Sequence, residues 1–337
     1  MIDLRSDTVT KPSQQMLEAM MNAEVGDDVY SEDPTVNKLQ LKCAELTGKD
    51  RALFVPTGCM ANQLAVKAHT NMGDEIICEA ESHIFNYETA APAVISNVLV
   101  KQIVGTDGYF TVDDLSKAIR PTEYYFPKSA LMCMENTHNR AGGSIIPIDV
   151  IKELTTFAVD NGLKRHLDGA RIFNASVETG ISAKEYASHF DTISFCFSKG
   201  LGAPVGSILC GDKESITKAH KWRKILGGGM RQVGVLAAAA IYALDNNIER
   251  LKDDNARAKK FAEGISGVNG IVVNPEKVES NIIIFESTQI PKEELINRLK
   301  EKGVLISSGS YDFLRIVFHL DVNDDDMEKA LDAFRSL

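Results

Sequence analysis

Two charged side chains, Lys199 and Asp168, each follow a strand-like run of the sequence. Lys199 comes after the run 191–198 and precedes the glycine-rich stretch 200–206, so we predict that a strand ends with an amine over a loop. Asp168 follows the run 163–167, which begins and ends with leucine, at a second predicted strand end. A desolvated amine can form a Schiff base with an aldehyde, and a carboxylate can keep a pyridine nitrogen protonated. The pair therefore predicts a site for pyridoxal 5'-phosphate.

That cofactor also needs a cradle for its phosphate. The segment 56–62 joins a predicted strand to a predicted helix, so the first free N–H groups of the helix point at whatever lies in the turn. Thr57, Gly58 and Cys59 are the candidate phosphate-binding residues. A strand, a turn and a helix with one glycine are common in α/β proteins, so this segment gains its weight from the lysine and the aspartate.

Two histidines, His83 and His138, also lie just after predicted strands. Imidazole titrates near neutral pH, so a histidine at such a position can stack on a ring or transfer a proton. A lone histidine is more often a satisfied structural group. Because two converge on the same predicted sheet edge, we interpret them as catalytic candidates beside Lys199.

Two arginines are candidates for binding a carboxylate, because a guanidinium offers a planar fork and keeps its charge. Arg171 lies at the same strand end as Asp168. Arg315 interrupts the apolar run 313–318, where the alternative is an arginine on the half-exposed face of an antiparallel strand. The segment 224–231 has three consecutive glycines, which indicates close approach to a ligand or tight subunit packing.

The bulk composition favours a small-molecule enzyme. With 337 residues the chain is long enough for two domains, and we predict a large one at 1–248 and a small C-terminal one at 249–337. A net charge of -10 without a basic block argues against nucleic-acid and membrane partners. The acidic stretch 26–33 lacks regular ligand spacing, so we interpret it as a solvated loop and predict no metal site.

The six cysteines include no closely spaced pair of the CxxC type. Four of them, Cys78, Cys133, Cys196 and Cys210, lie in or beside apolar runs, and we interpret them as reduced core residues. The N-terminus lacks an apolar signal core, and no uncharged run has the length of a membrane span. We therefore expect a cytoplasmic protein.

Helical and strand-like patterns alternate from residue 34 onward. Short, continuously apolar strands separated by helices predict an α/β fold with a mostly parallel sheet and helices on both faces. Ligands bind at the carboxyl ends of strands in such sheets, which is where the candidate residues lie. Two helices predicted across 230–265 lead to a small α+β unit. Its predicted elements are strands at 281–285, 304–306 and 314–318 and helices at 292–302 and 324–335.

Several strings in the chain resemble those of the low-specificity L-threonine aldolases. They are Leu4–Thr10, Gly26–Tyr30, Glu135–His138, His166–Asn174, Ser198–Leu201 and Gly227–Gln232. The resemblance extends over nearly the full length. It implies fold type I of the pyridoxal phosphate enzymes, the aspartate-aminotransferase fold.

The resemblance also implies roles for individual residues. Lys199 is expected to hold the cofactor as a Schiff base, Asp168 to contact the pyridine nitrogen, and His83 to stack on the ring. His138 is expected near the substrate side chain. The implied substrate-binding residues are Ser6, Tyr87, Arg171 and Arg315, and the implied cofactor-binding residues are Thr57, Gly58, Cys59, His83, Asp168, Arg171, Lys199, Lys224 and Arg231. Lys224 and Arg231 are expected to act across a subunit interface, which implies a homo-oligomer, at least a dimer and by expectation a tetramer.

The implied activity is cleavage of L-threonine, L-allo-threonine or both to glycine and acetaldehyde, with tolerance of other β-hydroxy amino acids. The same lysine and aspartate would also serve a β-eliminating lyase or a transaminase, and a non-catalytic cofactor carrier is the alternative from another class. The chain departs from the family at Cys59, where a hydroxyl residue is usual, and at Phe318, where a smaller polar residue is common.

Overall fold

A seven-stranded sheet with helices on both faces forms the centre of the computed structural model, which describes residues 1–309 and 313–337. Within the described residues, the strands are β1 (Ile2–Asp3), β2 (Arg51–Val55), β3 (Glu75–Glu79), β4 (Leu99–Ile103), β5 (Ser129–Glu135), β6 (Lys164–Asp168), β7 (Thr192–Cys196), β8 (Ser207–Gly211), β9 (Ile271–Val272), β10 (Ile282–Ser287), β11 (Val304–Leu305) and β12 (Leu314–Val317). In the same ranges, the α-helices are α1 (Gln14–Met21), α2 (Pro34–Thr47), α3 (Gly58–His69), α4 (His83–Asn86), α5 (Ala91–Ser96), α6 (Val112–Ala118), α7 (Ile148–Asp160), α8 (Ile172–Thr179), α9 (Ala183–Ser188), α10 (Lys213–Ile225), α11 (Gly234–Asn246), α12 (Leu251–Ile265), α13 (Lys292–Glu301) and α14 (Asp324–Arg335).

The central sheet has the order β2-β8-β7-β6-β5-β3-β4. Neighbours from β7 to β4 are parallel, whereas β8 runs antiparallel to both β7 and β2. Every residue of β3, β5 and β7 is buried, because helices cover both faces. The predicted α/β fold with a mostly parallel sheet is confirmed. The antiparallel β8 was not assigned from the sequence.

Local capping determines where α2 and α3 begin. Asp33 caps α2 by accepting hydrogen bonds from the N–H groups of Thr35 at 3.1 Å and Val36 at 3.0 Å. Thr57 caps α3, with its Oγ accepting from the Met60 N–H at 3.2 Å. These bonds satisfy N–H groups that a helix start leaves without a partner, so the chain turns from β2 into α3 directly after Val55.

The apolar core divides between the central sheet and a smaller C-terminal unit. In the smaller unit α12 and α14 pack on the antiparallel strands β10 and β12. The N-terminus contributes to it, because β1 pairs in parallel with β11 and the side chain of Leu4 is buried in this core. The proposed domain boundary near residue 248 stays a prediction. Among the helices described, none has the length and apolar character that crossing a bilayer requires.

Candidate active site

Asp168 ends β6 at the carboxyl edge of the sheet, and its carboxylate is buried. Its Oδ2 accepts a hydrogen bond from Asn62 Nδ2 at 2.7 Å, and its Oδ1 accepts one from the Ala170 N–H at 3.1 Å. Burial alone would raise the pKa of Asp168, but the nearby charges of His83 and Lys199 and the bond from Asn62 hold it below its ordinary value. Asp168 is therefore suited to keep a proton on a ring nitrogen placed against it.

Lys199 lies three residues after β7, and its side chain is half-buried. Its positive charge lowers the pKa of two buried carboxyl groups, Asp7 near the N-terminus and Asp168 near the middle of the chain. The Lys199 carbonyl accepts from the Gly202 N–H at 2.8 Å, so the loop turns back immediately after the lysine. The amine and the Asp168 carboxylate thus belong to one electrostatic cluster, and their roles toward a cofactor stay predictions.

Asn62 on α3 organises the environment of Asp168. Its Nδ2 also donates to Glu88 Oε1 at 2.7 Å, so one amide group contacts two carboxylates. Its Oδ1 accepts from Ser194 Oγ at 3.0 Å and lies 3.1 Å from His166 Nε2. Burial lowers the pKa of His166 to about 4, so that imidazole is neutral at physiological pH. Sequence reasoning missed Asn62, although it closes the predicted phosphate-binding segment.

His83 begins α4 and contacts Glu88 through its side chain. His83 Nδ1 lies 3.0 Å from Glu88 Oε1, and the His83 N–H donates to Glu135 Oε2 at 2.6 Å. Burial would lower the pKa of His83, but the hydrogen bond to Glu88 and the charges of Asp168 and Glu135 outweigh it and raise the pKa. The ring centroid is 5.5 Å from that of Tyr87, at an interplanar angle of 36°. The predicted ring-stacking histidine is thus held beside the carboxylate cluster.

The guanidinium group of Arg171 forms a two-point ion pair with the carboxylate of Asp7. Arg171 Nε donates to Asp7 Oδ2 and Nη2 to Oδ1, both at 2.7 Å, and both side chains are buried. Burial would raise the pKa of Asp7, but the Arg171 charge and hydrogen bonds hold it well below its usual range. Asn281 Nδ2 also donates to Asp7 Oδ2 at 3.3 Å. The bonds to Asp7 use Nε and Nη2 of Arg171. The predicted contact between Arg171 and a substrate carboxylate would therefore use Nη1, and it stays a prediction.

Arg315 reaches the same region from the small unit. Its Nη1 donates to Asn139 Oδ1 at 3.0 Å and its Nη2 to the Arg5 carbonyl at 3.2 Å. Within the described residues, its buried Nε has no hydrogen-bond partner. Burial and the positive charge of Arg171 lower the pKa of Arg315. Two neighbouring guanidinium groups and a buried donor without a partner make this a favourable place for an anion.

The predicted phosphate-binding residues stand at the first turn of α3. Gly58 is the first helical residue, and Thr57 is the cap described above. The Cys59 thiol, a ring nitrogen of His83 and a carboxylate oxygen of Glu88 lie within 4.8 Å of one another. Partial burial, together with the negative charges of Glu88 and Asp168, raises the pKa of Cys59 to about 11. The thiol therefore stays protonated and faces the cluster around His83.

His138 occupies a different setting from His83, because its side chain is entirely buried. Its Nε2 lies 3.1 Å from Glu79 Oε2, and its Nδ1 accepts from the Ala141 N–H at 3.2 Å. Gly108 packs on the ring so closely that a Cβ there would lie 2.5 Å from a ring carbon. Burial would lower the pKa of His138, but the charges of Glu135 and Glu79 raise it. Its predicted contact with substrate stays a prediction.

The remaining predicted residues lie at the margin of this cluster or outside it. Ser6 is half-buried beside Asp7, and its Oγ accepts from the Thr8 N–H at 3.2 Å. Tyr87 is 43% exposed. Lys224 and Arg231 are exposed, and Arg231 Nη1 contacts Asp27 Oδ2 at 2.9 Å. A cleft lies between Tyr87 and the small unit, and its lining includes Tyr87, Asn139, Arg140, Ile284 and Arg315.

Comparison with known proteins agrees with this arrangement. The family described as Beta-eliminating lyase matches residues 3–288. The low specificity L-threonine aldolase of Escherichia coli K12 is 42% identical over 337 residues, which covers 100% of this chain and 99% of that protein. Low-specificity L-threonine aldolase 1 of Arabidopsis thaliana is 40% identical over 341 residues, covering 99% and 95% of the two chains.

The solved structure of the Leishmania major threonine aldolase has the same fold, with a TM-score of 0.86 at 18% identity, over 100% of this chain and 99% of that one. Sequence similarity along the whole chain, together with this shared fold, leads to one conclusion: the chain belongs to the low-specificity L-threonine aldolase family, within the beta-eliminating lyases.

Proposed function

We propose that this protein cleaves the Cα–Cβ bond of L-threonine, L-allo-threonine or both, releasing glycine and acetaldehyde, and that it accepts other β-hydroxy amino acids. The relatives in Escherichia coli and Arabidopsis carry the name of this activity. The observation that carries the proposal is the buried Asp168 at the carboxyl end of β6, whose carboxylate accepts hydrogen bonds from Asn62 Nδ2 and the Ala170 N–H and whose pKa is lowered by the charges of His83 and Lys199. Such an ionised carboxylate beside an amine and an imidazole suits chemistry at an amino-acid Cα.

We propose pyridoxal phosphate as the cofactor, and the residues present fit it. Lys199 would offer its amine to the aldehyde, Asp168 would hold a proton on the ring nitrogen, and His83 would stack on the ring. The free N–H groups at the start of α3, together with Thr57, Gly58 and Cys59, would hold the phosphate. When bound, the cofactor supplies a protonated ring that accepts the electron pair released at Cα.

The remaining steps are assigned to side chains of this chain. Arg315 and Arg171 Nη1 would bind the substrate carboxylate, which fixes the direction of the Cα–Cβ bond. His83, His138 or a water molecule that they hold would take the β-hydroxyl proton. We favour His83, because its ring is partly accessible whereas the His138 side chain is entirely buried.

Product analysis tests the proposal against its alternatives. The purified protein, loaded with pyridoxal phosphate, would be incubated with L-threonine and with L-allo-threonine, and Lys199→Ala is the control. We expect equal amounts of glycine and acetaldehyde, lost in the variant. Formation of 2-oxobutanoate alone would replace the proposal with β-elimination, and pyridoxamine phosphate with a keto acid would indicate transamination. Bound cofactor without any product would indicate a carrier.

We also propose a homo-oligomer, at least a dimer and by expectation a tetramer. The exposure of Lys224 and Arg231 on the single chain supports a role for them in a neighbouring subunit. A cytoplasmic location is supported by the six cysteines, all of which are free thiols.

A further inference from the structure

Glu88 is a buried carboxylate to which neither the sequence nor the proposed reaction assigns a role. The residue lies in the segment that joins α4 to α5, and its side chain is 0% exposed. Oε1 accepts from Asn62 Nδ2 at 2.7 Å and lies 3.0 Å from His83 Nδ1, and Oε2 accepts from Gln63 Nε2 at 2.6 Å. Among the described residues, His83 is the one basic side chain that pairs with it. A carboxylate that is buried without a lysine or an arginine needs such partners to offset its desolvation.

The Asn62 amide joins Glu88 to the Asp168 carboxylate. Its Nδ2 carries two hydrogens, and the two acceptors, Glu88 Oε1 and Asp168 Oδ2, each lie at 2.7 Å. The amide cannot reverse, because Ser194 Oγ donates to Oδ1 from the opposite side. An unbroken series of hydrogen bonds therefore runs from the His83 imidazole through Glu88 and Asn62 to Asp168.

We infer that Glu88 is the positioning residue of this site: it holds the proton of His83 on Nδ1, presents Nε2 to the substrate and, through Asn62, ties the imidazole to Asp168. The role of Nε2 as the atom that meets the substrate rests on the proposed function, whereas the position of Glu88 behind His83 does not. A carboxylate that orients a histidine from behind also strengthens the histidine as a proton acceptor.

Several ionisable groups face His83, and they act on it differently. Asp168 approaches from β6, Glu135 from β5 and Cys59 from α3. Glu88 is the group that bonds to an imidazole nitrogen, whereas Asp168 and Glu135 act on the ring through their charges alone. The substitution Glu88→Gln removes that charge while keeping the length of the side chain. This substitution should therefore change the pKa of His83 more than removal of a charge that makes no hydrogen bond to the ring.

Titration of the histidines by NMR tests the inference without any turnover. The cofactor-free chain would be labelled with ¹⁵N-histidine, and the His83 signals would be assigned with His83→Gln. We expect wild-type His83 to carry its proton on Nδ1 when neutral, and Glu88→Gln to lower its pKa by roughly one unit or more, the effect of removing an adjacent opposite charge. The matched control is Gln63→Met, which removes the bond to the other Glu88 oxygen and should leave the His83 tautomer and its titration nearly unchanged.

A second variant and a kinetic readout keep the test decisive. If Glu88→Gln does not fold, Glu88→Asp replaces it; this retains the charge but shortens the reach, so the His83 pKa should fall by less. With cofactor and threonine, Glu88→Gln should lower kcat, with KM changed by less than about threefold. Because the pKa of His83 falls, the acidic limb of the pH profile of kcat/KM should move to lower pH.

Identical His83 titrations in wild type and Glu88→Gln would overturn the inference, and so would a neutral His83 with its proton on Nε2. Failure of the proposed function has a different signature. In that case no glycine forms from threonine. The NMR titration of the cofactor-free chain still tests whether Glu88 sets the tautomer and the pKa of His83.

Discussion

Asp7 and Arg171 form a buried two-point ion pair, with N–O distances of 2.7 Å on both arms, between residues 164 positions apart in the chain. The pair joins the N-terminal segment, which packs with the small unit, to the strand end that carries Asp168. The N-terminal segment is therefore tied directly to one of the two arginines proposed to bind the substrate carboxylate.

Removing the acidic partner should cost stability. Asp7→Asn leaves the Arg171 charge buried without its counter-ion, and breaking a buried pair in this way typically costs about 3–5 kcal/mol of unfolding free energy. Urea unfolding of wild type and variant at pH 7 measures the difference. The matched control is Asp113→Asn, which breaks an exposed pair with Lys117 and should change stability by about 0.5 kcal/mol or less.

The stabilisation by Asp7 also has a defined pH dependence. The folded state holds the pKa of Asp7 well below its usual range, so folding favours the ionised form. The contribution is fully present above the unfolded pKa of about 3.9 and is lost as the pH falls toward the folded value. The difference in unfolding free energy between wild type and Asp7→Asn should therefore become smaller below about pH 4. A gap that is constant from pH 7 to pH 3 would contradict this assignment.

Substitution of Arg315 should weaken use of the substrate. In Arg315→Leu the carboxylate loses a charged partner, and a loss of about 2 kcal/mol or more corresponds to roughly 30-fold in kcat/KM. Steady-state kinetics with L-threonine measure it, and Arg298→Leu, which breaks an exposed pair with Glu294 on α13, should leave kcat/KM unchanged. An equal loss in both variants would exclude a specific role for Arg315.

The pH profile should identify which histidine acts as the base. A base must be neutral to accept the β-hydroxyl proton, and the folded state raises the pKa of His83. The acidic limb of kcat/KM should therefore lie above the ordinary histidine value of about 6.5, with activity rising as the pH rises. His83→Asn should remove that limb, whereas His138→Asn should retain it. The opposite pattern would transfer the role to His138.

Restoring a hydroxyl at position 59 should tighten cofactor binding. The Cys59 thiol, with its pKa raised to about 11, is a weak donor next to the predicted phosphate position. In Cys59→Thr a hydroxyl can donate to the phosphate, and a gain of about 1 kcal/mol corresponds to roughly fivefold in affinity. Titration of the cofactor-free protein, followed by absorbance, measures it, with Cys59→Ala as the control that adds no donor. Equal affinities in the two variants would place the phosphate away from this side chain.

Much of the fold and part of the site follow from the sequence, because they depend on local patterns. Periodic apolar patterns predicted helices at 292–302 and 324–335, and the observed spans are Lys292–Glu301 and Asp324–Arg335. Lys199 and Asp168 could be placed at the carboxyl edge because every parallel strand delivers its last residues there.

The partners of those residues depend on tertiary structure. Asn62 meets Asp168 across 106 positions, and Asp7 meets Arg171 across 164. No local period encodes which distant polar groups will share a buried hydrogen bond, because that depends on how the helices and the two units pack. The sequence by itself determined the elements and the chemistry available at their ends. Tertiary packing alone decided that Asn62 links Glu88 to Asp168 and that Arg171 faces Asp7, because burial forces each charged group to find a partner among those brought within reach.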